Sequence, residues 1–107
     1  MSVCMLFYAG KECLAEVPVA TEATFLQYWD PIIKELCLPL LGKWNGYLSL
    51  GREGAPALIR EIQKVASISR ERFGDDVGCE MTNRADRAVS AIQKYLEDDR
   101  ITEISFG

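Results

Sequence analysis

Residues 1–17 read MSVCMLFYAGKECLAEV, and the fold turns on how this stretch is taken. The run Ser2 to Ala9 is apolar at both parities, the pattern of a strand covered on both faces. A secretion signal is the competing reading. The stretch lacks a basic leading region, its apolar run is at the lower limit of length, and no clean small-x-small cleavage site follows. Ala9, Gly10 and Lys11 supply a turn. Residues 12–17 then alternate, with Cys13, Ala15 and Val17 on one side and Glu12, Leu14 and Glu16 on the other, as in a more exposed strand. Pro18 is expected to end that strand, because it has no N–H to give to a ladder. The chain therefore opens on a β-hairpin whose apolar first strand is the natural centre of a sheet.

Beyond Thr21 the period changes. Phe25, Trp29, Ile32, Ile33, Leu36, Cys37 and Leu40 follow helical spacing, with Thr24 and Gln27 placed as a capping box. Pro31 either kinks this helix or opens a new one capped by Asp30. Leu38-Pro39 marks its end. Asn45-Gly46 is a turn signal, and residues 47–50 make a short third strand. Gly54 and Pro56 open a long helix with Leu58, Ile59, Ile62, Val65, Ala66 and Phe73 as its apolar stripe. Residues 74–78 read as a polar loop, after which Thr82 or Asn83 caps a further helix carrying Ala85, Ala88, Val89, Ile92, Tyr95 and Leu96 inward. Residues 101–106 form the last strand, with Ile101 facing away from Ile104 and Phe106. The expected fold is a single α+β domain of order β-β-α-β-α-α-β. It has a small, mostly antiparallel sheet of three to four strands and about three helices.

Composition narrows the function. The 107 residues are 49% hydrophobic and 26% charged, ordinary for a globular domain, and twelve basic against sixteen acidic residues give a net charge of −4. Phosphate-backbone binding draws on a surplus of Lys and Arg, so nucleic acid is an unpromising partner, and so is an anionic membrane. No stretch reaches the ~18 apolar residues that cross a bilayer. Cys4, Cys13, Cys37 and Cys79 form no Cys-x-x-Cys pair, and a tight turn at Gly10 does not set Cys4 opposite Cys13. Free thiols buried as small hydrophobes, in a reducing cytoplasm, are expected.

The chain has no histidine, which removes a Ser-His-Asp triad, a Cys-His dyad and any His-bearing zinc site from its own chemistry. Gly51-Arg52-Glu53-Gly54 precedes a helix but lacks the Gly-Lys-Ser/Thr of a P-loop, and reads as a turn. Two acidic groups stand out, Asp75-Asp76 and Glu97-Asp98-Asp99 with Glu103 close behind. Neither has calcium-loop spacing, so neither is assigned a metal. The second group lies at a helix C-terminus, where acid opposes the macrodipole, and an electrostatic partner is one reason for it to be there. Cys79, ahead of Arg84 and Arg87, is the best-placed thiol for a nucleophile, though an inert packed thiol is the simpler reading. Arg70, Arg72, Arg84 and Arg87 alternate with Glu71 and Asp86 as salt-bridged helix surface does. Trp44 and Tyr47 flank the Asn-Gly turn, where they either lid the core or offer a contact surface.

Three function classes follow. The leading one is a small acidic cytoplasmic module that binds a basic protein, a profile shared by bacterial immunity and antitoxin-type inhibitors of basic, nuclease-like toxins. Its expected contact residues are Trp44, Tyr47, Asp75, Asp76, Glu97, Asp98, Asp99 and Glu103, with no cofactor and no metal. The second is a structural or regulatory adaptor that forms a homo-oligomer through an open sheet edge, with residues 101–106 as the candidate edge. The third is a histidine-free enzyme or small-molecule binder with Cys79 as its nucleophile.

Overall fold

The computed structural model describes residues 2–46 and 48–107. The N-terminal hairpin is present as β1 (Ser2–Ala9) and β2 (Glu12–Thr21), turning through Gly10 at φ 61°. That left-handed φ is open to glycine without steric cost. Two further strands, β3 (Leu48–Gly51) and β4 (Glu103–Phe106), complete a wholly antiparallel sheet of order β2-β1-β4-β3. The apolar β1 is thus paired on both sides. So is β4, which corrects its expected place at an edge: the sheet's edges are β2 and β3. Beyond the β4 ladder itself, the Thr102 N–H donates to the Tyr8 carbonyl at 2.8 Å, and Cys4 and Gly107 exchange backbone bonds of 3.3 and 3.0 Å.

β2 runs straight through Pro18 instead of ending there. On an edge strand the missing N–H can point away from the ladder, so it need not cost a bond. Register shifts opposite Val3/Cys4 and Phe7/Tyr8 leave Val19 and Leu14 as the extra residues of two bulges. The second bulge breaks the expected alternation. Cys13 pairs with Tyr8, while Ala15 pairs with Phe7 and Val17 with Met5. Cross-strand partners share a face, so Cys13 stands on the side opposite Ala15 and Val17.

The helical layer begins at Thr21, whose hydroxyl accepts from the Thr24 N–H, so the cap sits three residues before the expected Thr24. α1 (Glu22–Thr24), a π turn (Phe25–Trp29) and α2 (Asp30–Leu36) make one continuous right-handed path. Pro31 does not break it. The Asp30 N–H reaches back five residues to the Phe25 carbonyl, and this widened turn brings the chain to a proline that has no N–H to offer. The path stops at Cys37, at φ 52°, two residues before Pro39.

α3 (Ala55–Phe73) and α4 (Asp75–Leu96) form an antiparallel pair joined by Gly74 alone, at φ 92°. The polar loop expected at 74–78 is therefore helix from Asp75 onward, and neither Thr82 nor Asn83 is a cap. Asp75 and Asp76 occupy the first turn of α4, where carboxylates complement the macrodipole. Gly78 lies inside the helix because α3 passes against it: a Cβ there would stand 2.7 Å from the Arg70 Cα.

The long helices share one core with the β1 face that carries Val3, Met5 and Phe7, which are 2%, 0% and 0% exposed. Tyr95 of α4 packs on Phe7 with ring centroids 4.8 Å apart, and Phe25 packs on Phe106 at 5.9 Å. Ile101 is buried just ahead of β4 instead of lying within it. The radius of gyration is 13.2 Å, close to the roughly 13 Å of a folded chain this long. Among the described residues no helix is long and apolar enough to cross a membrane.

Candidate partner-binding face

The residues expected to form one contact surface are spread over the molecule. Asp75-Asp76 and Glu97-Asp98-Asp99 lie at opposite ends of α4, whose 22 residues span about 33 Å. Trp44 is 7% exposed and lids the core instead of offering a contact surface. Its ring lies 4.6 Å from Phe25, and its Nε1–H donates to Asp30 Oδ1 at 3.0 Å. Partial burial pushes the Asp30 carboxyl up, but bonds from Lys34 and Trp44 outweigh it and hold the group below its ordinary value. Tyr47 lies outside the described residues.

The group at 97–99 has an internal explanation. The Arg52 guanidinium donates to the carbonyls of Asp98 at 3.0 Å and Ile101 at 2.8 Å, and also to that of Leu96. One cation thereby answers the negative end of α4 and staples the loop that leads into β4. Asp98 accepts side-chain bonds from Arg100, at 2.8 Å for the closest, and the Arg100 N–H at 2.9 Å. These bonds, side chain first, hold its carboxyl down at about 2. Asp98 is therefore spent within the fold. Arg52 lies in the Gly51–Gly54 segment, and its guanidinium is committed to protein carbonyls, not to an anion.

The thiols also sit differently from expectation. All four cysteines are free, but Cys13, Cys37 and Cys79 are exposed and Cys4 half-buried, so none is a packed core residue. Cys13 is carried outward by the bulge, Cys37 by the left-handed helix end, and Cys79 by its place in the second turn of α4, not ahead of a helix. A cavity of 120 Å³ lies between the π turn and α4, edged by Tyr28, Glu80 and Arg84.

What the register does assemble is the sheet's other face. Pairing places Glu16, Leu6, Ser105 and Ser49 in one row across all four strands, and Cys13, Tyr8, Glu103 and Gly51 in the next. Cys4 and Pro18 stand beyond. Among the described residues neither α3 nor α4 covers this face. The 3₁₀ turn Leu41–Gly46 and Glu22 flank one end of it beside Leu6 and Ser105; Ser105 is 6% exposed, and the even-numbered β1 side chains, Cys4, Leu6 and Tyr8, are half-buried. These rows contain two carboxylates and no Lys or Arg. The Ser49 hydroxyl donates to Glu103, and the Cys4 thiol to the Ser2 carbonyl at 3.9 Å. Burial first, then the Glu16 carboxylate, push that thiol up. Strand spacing sets the two carboxylate-bearing Cα atoms roughly 12 Å apart.

The ion pairs of the described residues lie elsewhere: Lys34–Asp30, Arg70–Asp75, Arg72–Glu35 and Arg84–Glu80 in the helical layer, and Arg100–Asp98 in the loop before β4. Of the expected contact residues only Glu103 belongs to the open face. Leu6, Tyr8 and Glu16 went unselected, although a strand apolar at both parities was the pointer to them. Comparison with protein families, curated proteins and solved structures returns no match for this chain.

Proposed function

We propose that the chain is a binding module that captures a basic protein on its open sheet face, in the manner of an immunity or antitoxin-type inhibitor acting in the cytoplasm. The observation that supports this is the pairing of half-buried Leu6 and Tyr8 with Glu16 and Glu103, on a surface where no cation of the strands balances the charge. An apolar centre with acidic flanks suits a partner that brings Lys and Arg, because complementary charge speeds association and excludes acidic competitors. The absence of histidine from the chain supports action by binding over acid–base catalysis.

Self-assembly through a sheet edge has less behind it. β4 is interior, and the long edge β2 carries Pro18, two bulges and the exposed Glu12 and Glu16, all devices that discourage strand addition. The test is affinity capture from the source organism at low ionic strength, with a salt series for release. The expected result is a stoichiometric basic protein that leaves with salt, and is not retained by a Glu16→Lys/Glu103→Lys double variant. Equal retention by the double variant would remove the open face from the interface.

A further inference from the structure

At the end of the open face where β1 begins and β4 finishes, a groove of 310 Å³ runs between the sheet and the segment before β3. Its walls include Leu6 and Val3 from β1, Ser105 from β4, Trp44 and Asn45 from the 3₁₀ turn Leu41–Gly46, and Glu22 at the start of α1. The groove therefore joins an apolar wall to a carboxylate at its rim. Glu22 is exposed and enters no ion pair among the described residues. Its place in the first turn of a helix explains why a carboxylate is tolerated there, yet leaves both oxygens open to a donor.

We infer that this groove receives one arginine side chain of the basic partner, its methylene stem along Leu6 and its guanidinium on the Glu22 carboxylate. The inference rests on the open-face reading and names the chemistry that face would recognise. Arginine fits better than lysine for two reasons. The acceptors at the rim, the Glu22 carboxylate and the Asn45 amide oxygen, come from separate segments, and a planar fork of five donors can serve both at once. The apolar wall at Leu6 also suits the more weakly hydrated guanidinium better than a compact, strongly hydrated ammonium.

The probe is the blocked tripeptide acetyl-Gly-Arg-Gly-amide, titrated into the whole labelled chain and followed by NMR, beside its citrulline counterpart, which keeps the shape and loses the charge. The expected result is saturable shifts at Leu6, Asn45 and Ser105, at least fivefold weaker in apparent affinity for the citrulline peptide and for Glu22→Gln. A Glu16→Gln/Glu103→Gln variant reads the remainder of the face separately. Shifts that depend on Glu16 and Glu103 but leave the groove silent would overturn the arginine site while preserving the open-face reading. Shifts equal for both peptides, or confined to the Asp75–Asp76 helix end, would overturn the site as well, and silence of the whole face would count against both.

Discussion

At the scale of single residues, polar side chains hold the parts of this molecule that regular structure leaves untied. Glu61, 8% exposed on α3, accepts the N–H groups of Leu40 and Leu41 at distances down to 2.8 Å, and so anchors the start of the 3₁₀ turn. Glu61→Ala orphans two backbone donors and should cost about 3 kcal/mol in a urea melt, with Glu61→Gln retaining part of the stability because it keeps an acceptor. Trp44→Phe removes the bond to Asp30 and part of the indole's packing on Phe25; a loss of about 2–4 kcal/mol is expected by the same measurement.

Asp98 carries a pH signature. Its carboxyl sits at about 2 in the fold against an ordinary 3.8, so the folded chain binds this proton less readily than the unfolded one. Its contribution is complete above the ordinary value and disappears as pH falls through about 2. Wild type and Asp98→Asn should therefore differ in urea midpoint at neutral pH, and converge between pH 4 and 2. A gap that persists at pH 1.5 would show that the carboxylate bonds are not its source.

At the scale of elements, the decisive contact is between α3 and α4 at Gly78. Replacing Gly78 with Ala adds helix propensity worth about 1 kcal/mol, but places a methyl 2.7 Å from the Arg70 Cα. Overpacking costs about 1–3 kcal/mol, and backbone cannot step aside as a flexible side chain can. Net destabilisation is expected on thermal melting; a raised melting temperature would mean the helices separate at no cost.

The same contact shows why part of this fold was hard to read in the sequence. Asp75, Asp76 and two glycines spell a loop locally, yet the helix pair uses Gly74 for its turn and Gly78 for its crossing. That distinction depends on Arg70, eight residues back. The element order, the central β1 and the apolar stripes of α3 and α4 were legible because burial imposes a period on neighbouring residues. The bulges at Leu14 and Val19 and the interior place of β4 were not, since strand pairing joins residues far apart in the chain. Arg52 looked like part of a glycine turn for the same reason: its carbonyl partners lie more than forty positions away. The open face was half legible. Apolar residues at both parities of β1 were read as burial on both faces, whereas the chain supplies long helices for only one.

At the scale of the whole molecule, the arrangement is asymmetric in charge. In the helical layer Lys34, Arg70, Arg72 and Arg84 pair with acids of that layer, while the sheet's open face keeps two carboxylates and no cation on its strands. The net charge of −4 is therefore not spread evenly. Association with a basic partner should slow with added salt, and the two charge reversals on the open face should act mainly on the association rate. Reversal at Asp75 should have a much smaller effect, because it lies at the far end of α4 from the loop that leads into β4 and already faces Arg70 at 3.6 Å.

The most direct test is the association rate of the captured basic partner at low ionic strength, measured for the wild-type chain, for Glu16→Lys/Glu103→Lys and for Asp75→Lys. The open-face account predicts at least a tenfold slowing for the double variant and less than a twofold change for Asp75→Lys, with the difference closing at high salt. Equal rates for the double variant and wild type, or a larger effect at Asp75, would contradict it.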